Sequence, residues 1–233
     1  RLTSLTDPDA GTTAYIYDAL GNLKKTTDNK AQKTTFTYDL LNRMATRTDL
    51  SETASNSVAS WFYDEDSKCT HTGLFIGQLC RVEQPGFSET YSYNSQGLLS
   101  DQVTTITESS ANKIFTMGYT YDAFKRPSTV TYPNGYAVTT RYNDSGYVKE
   151  TLDSLGKTLF TAEEMDARSN LTQFKLGNGL TTSRAYDPAN GMVRSIKTDL
   201  NNTIGQSTIN FQNLEYHWLS NANLYSRNDV AAS

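Results

Sequence analysis

Tyr17-Asp18-Ala19-Leu20-Gly21-Asn22-Leu23 returns in altered form as Tyr38-Asp39-Leu40-Leu41-Asn42-Arg43-Met44 and as Tyr93-Asn94-Ser95-Gln96-Gly97-Leu98-Leu99. Further copies start at Tyr121-Asp122, at Tyr142-Asn143 with Gly146, and at Tyr186-Asp187 with Gly191. Weaker copies start at Tyr63-Asp64, Met165-Asp166 and Tyr216-His217. The leading residues, or anchors, stand at 17, 38, 63, 93, 121, 142, 165, 186 and 216, in steps of 21 to 30 residues. One unit with variable insertions marks a repeat array whose loops lie at its margins.

The residue types explain the unit. Thr, Tyr, Phe and Ile precede the anchor and suit strands, with alternation in Phe36-Thr37-Tyr38 and Tyr91-Ser92-Tyr93. Asp or Asn after the anchor suits the first position of a type I turn, where its side chain can accept backbone N–H groups ahead. Three residues later comes Gly21, Asn42, Gly97, Gly146 or Asn190, types that tolerate a left-handed backbone. A type I turn followed by a left-handed residue is a common hairpin connection. Lys125, Ser169 and Ser220 depart from this, so different turns are expected there. An aliphatic residue (Leu23, Met44, Leu99, Val148, Leu171) opens the return strand.

About ten residues after the anchor comes Thr-Asp or a variant: Thr27-Asp28, Thr48-Asp49, Thr198-Asp199 and Asn228-Asp229. This is read as the opposite turn. Two stretches break the period. Residues 50–60 are read as a loop and 100–113 as a longer hairpin with a polar tip. Residues 159–168 contain good helix formers but lie on the anchor register, so a strand is expected. The predicted fold is all-β, an array of consecutive antiparallel β-hairpins forming a curved, twisted ribbon with one face more apolar. It is read as a single domain over 1–233 with about nine repeats.

Composition sets limits. The chain has 233 residues, of which 36% are hydrophobic, and its mean hydropathy is -0.58. Fifteen Tyr, nine Phe and many Thr argue against disorder, which is poor in such residues. The net charge is -4 and no basic run exceeds Lys24-Lys25, which argues against nucleic-acid binding. No stretch approaches the ~20 apolar residues of a membrane-spanning helix. The chain opens at Arg1 without Met, so it is expected to be part of something longer.

Two cysteines, Cys69 and Cys80, leave two readings open: ordinary thiols, or a local disulfide in an exported protein. Cys69, His71 and Cys80 supply too few ligands for zinc. The repeated Asp carboxylates are too dispersed for calcium, so no metal or cofactor is expected. His71 and His217 are the only histidines, and Glu163-Glu164 would face opposite sides of a strand. No catalytic residue is assigned. The chain is read as non-enzymatic.

The Tyr-Asp-x-x-Gly-x-Leu core, the Thr-Asp tail and the repeat of about 21 residues resemble the YD repeats of RHS proteins across essentially the whole chain. That family includes bacterial RHS polymorphic toxins, the C components of insecticidal toxin complexes, and teneurins. The resemblance implies hairpin strips that spiral into a hollow shell, which in bacterial members surrounds a toxic C-terminal domain. It implies a structural segment of such a shell, enclosing or presenting a toxin or effector domain, in a secreted or cell-surface bacterial protein. Its partners would be neighbouring repeats of the same polypeptide or the enclosed domain. The Pro-rich, Asp-Pro-x-Gly-Leu-type segment of the family has no match after Tyr216. Asp7-Pro8 and Asp187-Pro188 are repeat positions and not that segment. The alternative is a carbohydrate- or protein-binding surface on a cell-envelope protein, with tyrosine rings stacking on sugars. Under either reading the repeat anchors are Tyr17, Asp18, Gly21, Tyr38, Asp39, Asn42, Tyr93, Gly97, Tyr121, Asp122, Tyr142, Gly146, Tyr186 and Asp187.

Overall fold

The structure, a computed structural model, describes residues 1–50, 55–64, 76–109, 111–200 and 209–230. Among them there are nineteen strands and no helix. The chain divides into two compact units, Arg1–Tyr119 and Thr120–Ser233. The first holds β1 (Ser4–Asp7), β2 (Gly11–Tyr17), β3 (Leu23–Thr27), β4 (Lys33–Tyr38), β5 (Met44–Leu50), β6 (Ser57–Tyr63), β7 (Leu79–Gln84), β8 (Phe87–Tyr93), β9 (Leu99–Thr107) and most of β10 (Asn112–Tyr121). Each of these strands pairs antiparallel with its neighbour in sequence.

The second unit holds β11 (Pro127–Thr131), β12 (Ala137–Tyr142), β13 (Val148–Asp153), β14 (Thr158–Met165), β15 (Leu171–Leu176), β16 (Leu180–Tyr186), β17 (Val193–Leu200), β18 (Ile209–Trp218) and β19 (Leu224–Asp229). It is the same kind of antiparallel meander. In a meander, successive turns fall at opposite edges. Within each unit the anchor turns therefore share one edge, and the turns that follow odd-numbered strands share the other.

The strands separate an aromatic face from a hydroxyl face. Because side chains alternate, Tyr15, Phe36, Trp61 and Tyr91 lie on the same face as the anchors two residues on. Ser and Thr fill much of the other face. They meet directly across strands where Thr6 faces Thr12 at 3.0 Å and Thr37 faces Thr46 at 2.6 Å. Such cross-strand pairs stabilise a sheet by a few tenths of a kcal/mol, up to about 1 kcal/mol each.

The fold has almost no interior. Cys80, at 1% exposure, is the buried hydrophobic residue among those described, and Thr181 and Thr182 are the buried polar ones. The chain exposes 15460 Å². A compact protein of 25.9 kDa would expose about 10,500 Å². Apolar burial between layers therefore stabilises this fold little, and strand pairing and turn closure carry more of the load.

Several local expectations are met. Residues 158–165 form strand β14, and 99–121 form the long hairpin of β9 and β10. Others need correction. Residues 57–60, expected in a loop, are the start of β6, because Ser57, Val58, Ala59 and Ser60 pair with Asp49 to Thr46. Asp49 and Asp199, expected at turns, lie inside strands, where they accept the Thr34 hydroxyl and the Asn210 side-chain amide, each at 2.8 Å.

Lys125 and Ser169 also close the ordinary turn, with φ of 64° and 66°, so the hairpin imposes the left-handed backbone on them. The last anchor is Trp218 and not Tyr216: Leu219 opens the turn, and Ala222 is left-handed at 66°. Gly97 isolates the backbone requirement. It has φ of 75°, and a Cβ there would come no closer than 3.8 Å to a neighbour. Gly97→Ala is expected to destabilise the chain by about 1 kcal/mol, while Lys125→Gly is expected to be neutral or stabilising by up to about 1 kcal/mol. Urea midpoints of the two variants check both signs.

Candidate functional site

One turn geometry recurs at both edges of the meander. The N–H of the first residue donates to the carbonyl four residues on, and its carbonyl accepts the N–H of the third. This pair of bonds recurs at Asp18, Asp28, Asp39, Asn94, Asp122, Tyr132, Asn143, Asp153, Asp166 and Leu219. The third residue on is left-handed in each case: Gly21, Ala31, Asn42, Gly97, Lys125, Gly135, Gly146, Gly156, Ser169 and Ala222. Asp187 opens a turn one residue longer, closing on Met192 with Gly191 left-handed. Asp64 closes on Gln78 across the insertion that contains Cys69 and His71, both outside the described residues.

The side chain of the first residue completes the turn. Oδ1 of Asp39 accepts the N–H groups of Leu41 and Arg43, and Oδ1 of Asn94 accepts those of Gln96 and Leu98. Asp122, Asn143, Asp153 and Asp166 do the same. Tyr132 and Leu219 have no such acceptor. There an Asn two residues on substitutes, as Asn134 accepts from Tyr136 and Asn221 from Asn223.

These bonds shift the carboxyls. Desolvation pushes Asp18, Asp39 and Asp122 up, but hydrogen bonds to turn amides and neighbouring side chains outweigh it, so each lies below its ordinary value. The Arg43 hydrogen bond and the Gly77 amide hold Asp64 down, and Asn170 does so for Asp166. In Asp187 the Ala189 amide lowers the carboxyl most, against desolvation and with help from Arg194.

The anchor has a second task. At eight anchors the register slips by one residue: Tyr38 pairs with Met44 but Thr37 with Thr46, leaving Ala45 as an extra, bulged residue. Tyr17, Tyr63, Tyr93, Tyr142, Met165, Tyr186 and Trp218 show the same slip. Cys80 is the bulged residue opposite Tyr63 and Phe62.

From this position the anchor hydroxyl reaches across to the strand before its own. Tyr38 donates to the Leu23 carbonyl at 2.9 Å, Tyr63 to Met44 at 3.1 Å and Tyr93 to Leu79 at 2.7 Å. Tyr17 donates to Leu2 at 2.8 Å, Tyr142 to Pro127 at 2.8 Å and Tyr186 to Leu171 at a longer 3.4 Å. Trp218 replaces the phenol with its indole N–H, 2.7 Å from the Val193 carbonyl. Each bond closes the open mouth of the hairpin whose turn lies at the other edge.

Neighbouring anchor turns are also tied sideways. Arg43 bridges Asp39 at 2.7 Å and Asp64 at 2.6 Å, and its guanidinium lies 4.3 Å from the Tyr63 ring centre. Arg126 pairs with Asp122 and lies 4.1 Å from the Tyr142 ring centre. Asn22 bonds Asn42, Gln78 bonds the Gly97 carbonyl, Tyr147 bonds Ser169, and Arg168 bonds the Pro188 carbonyl. Sequence reading missed these ties, which join positions about twenty apart. No cluster of three or more His, Cys, Asp or Glu side chains able to hold a metal ion occurs among the described residues.

Two substitutions test these bonds. Tyr38→Phe keeps the ring and deletes one hydrogen bond, so it is expected to lower stability by about 1 kcal/mol. In a double-mutant cycle, Arg43→Ala and Asp64→Ala are expected to show a small favourable coupling that shrinks in ~1 M salt.

The RHS repeat family model matches residues 1–33 and 17–54. No curated protein sequence matches the chain. Among solved structures, the crystal structure of TcdB2-TccC3 superposes with a TM-score of 0.80 at 16% identity, over 98% of this chain and 12% of that one. The Photorhabdus luminescens Tc holotoxin pore gives a TM-score of 0.80 at 17% identity, again over 98% of this chain and 12% of the other. TcdB2-TccC3 without its hypervariable C-terminal region gives 0.80 at 17% identity, over 97% and 12%. The chain thus spans about an eighth of the length of these structures. The matched RHS repeats cover the start of the chain, and the turn seen there at Asp18 recurs along the described residues as far as Asn223.

Proposed function

We propose that this chain is a non-catalytic wall segment of an RHS-type shell, and that the whole protein encloses or presents a toxin or effector domain. The observation that carries this reading is the near absence of an interior: sheet one layer thick, exposing 15460 Å². Such a sheet is suited to separating two spaces. Its likeness in fold to toxin-complex chains of which it spans 12% supports the same role. The natural partners are further hairpins of the same polypeptide and the enclosed domain, and the setting is a secreted or cell-surface bacterial protein. We take residues 1–233 as one continuous stretch of repeats within that wall.

The cysteines suit this setting. No cysteine among the described residues is free, and a bond from Cys80 to Cys69 would fit an exported protein. The glycan-binding alternative rests on tyrosine rings stacking on sugars; the anchor hydroxyls that would add hydrogen bonds are committed to backbone carbonyls.

The test is the complete reading frame on both sides of this sequence, expressed and imaged by cryo-electron microscopy. The expected result is more hairpins of this kind, continuous with these, around internal density from another part of the protein. Finding these hairpins as a free-standing appendage beside an unrelated catalytic domain would overturn the proposal.

A further inference from the structure

Apart from the Leu219 turn, the anchor turns come in two chemical forms. In most, the first residue is Asp; in two, it is Asn94 or Asn143. Oδ1 of Asp39 and Asp166, like that of Asn94 and Asn143, accepts the same pair of turn amides. The second side-chain position differs. In the Asp turns, Oδ2 also accepts a donor: Asn22 Nδ2 at Asp18, Arg43 Nε at Asp39, Arg126 Nε at Asp122 and Asn170 Nδ2 at Asp166. A proton added at Oδ2 would meet an N–H donor head on, and the loss of charge would weaken both bonds at Oδ1. Asn94 and Asn143 carry no titrating group.

We propose that the anchor edge carries an acid catch: protonation of its turn aspartates releases individual hairpins, while the Asn94 and Asn143 turns stay closed. Each unit contains both forms. In the first, Asp18, Asp39 and Asp64 titrate and Asn94 does not. In the second, Asp122, Asp166 and Asp187 titrate and Asn143 does not. Asp18 faces Tyr38, and Asp122 faces Arg126 on its own turn, with Tyr142 beside that guanidinium. Asp39 faces Arg43 on its own turn, and on the β6 side Tyr63 and Asp64, with Arg43 between the carboxylates. Asp166 faces Arg168 on its own turn, and Arg168 reaches the Pro188 carbonyl beside Asp187 and Arg194. Tyr147, from the turn before, bonds Ser169.

The direction follows from the lowered folded values. A carboxyl that is more acidic in the folded chain stabilises it fully above its unfolded value near pH 3.9. That contribution is lost as pH falls through the folded value. The catch is therefore shut at neutral pH, still shut at about pH 5, and opens below about pH 4.

Amide hydrogen exchange, corrected for the intrinsic rate at each pH, reads the turns one by one. Between about pH 5 and pH 2.5, protection at Leu41, Arg43, Arg168 and Asn170 is expected to fall. Protection at Gln96, Leu98, Ser145 and Tyr147 should fall far less. Asp166→Asn with Asn170→Leu rebuilds the natural Asn94–Leu98 pair and is expected to abolish the acid response at Arg168. Asn94→Asp with Leu98→Asn is the reverse variant and should create a response at Gln96. Equal loss of protection at the Asp and Asn turns would overturn the proposal. So would an acid response at Arg168 that survives in the first variant, or no gain at Gln96 in the second.

Discussion

The hydrogen bond from an anchor donor to the first carbonyl of the preceding strand is the constraint on which the architecture turns. A hairpin closed only at its turn can splay at its mouth. In a compact protein a second layer would hold the mouth shut, but here Cys80 is the buried hydrophobic residue among those described. The tyrosine hydroxyl does that work, in a place where the register slip leaves the ladder irregular. The chemistry required is a donor on a long, rigid, flat side chain. Trp218 meets it with an indole N–H, while Met165 keeps the slip without offering a donor.

The same anchor therefore serves two hairpins. Its backbone leads into the turn at one edge, and its side chain locks the hairpin whose turn lies at the other. This coupling explains why the unit is longer than a single hairpin motif. The aliphatic residue that opens each return strand has a double role as well. Leu23 pairs with Tyr17 and presents its carbonyl to Tyr38. The chain thus builds its sheet by overlapping short-range bonds.

What the sequence made legible was whatever the chemistry kept local. Asp18 and Gly21 lie three residues apart, and their turn follows from residue preferences alone. Lys125 and Ser169 were unreadable because the hairpin around them overrides their own preference for φ below zero. Trp218 was misplaced by two residues because Tyr216 offered the expected ring, whereas the register slip falls at Trp218. Asn134 and Asn221 substitute for a missing Asp from a position that ordinary loop composition also favours. The clamp of Arg43 on Asp64 spans twenty-one positions, so no local pattern could announce it. Asp49 and Asp199 show the opposite error: the right residue type, used inside a strand to bind a neighbour across the sheet.

The closing bonds of the Asp64 turn run from Asp64 to Gly77 and Gln78, past the whole insertion between them. Tyr63 still slips register against Leu79 and still donates to Met44, as it would with the shortest turn. Pro188 shows the same tolerance on a smaller scale, lengthening its turn by one residue while Tyr186 keeps its slip. The rim is therefore a grafting margin. New peptide can be spliced in between the turn-opening residue and the return strand, and the strands behind it keep their spacing. Such a scaffold can diversify its outline, hairpin by hairpin, without renegotiating the strands that hold it together.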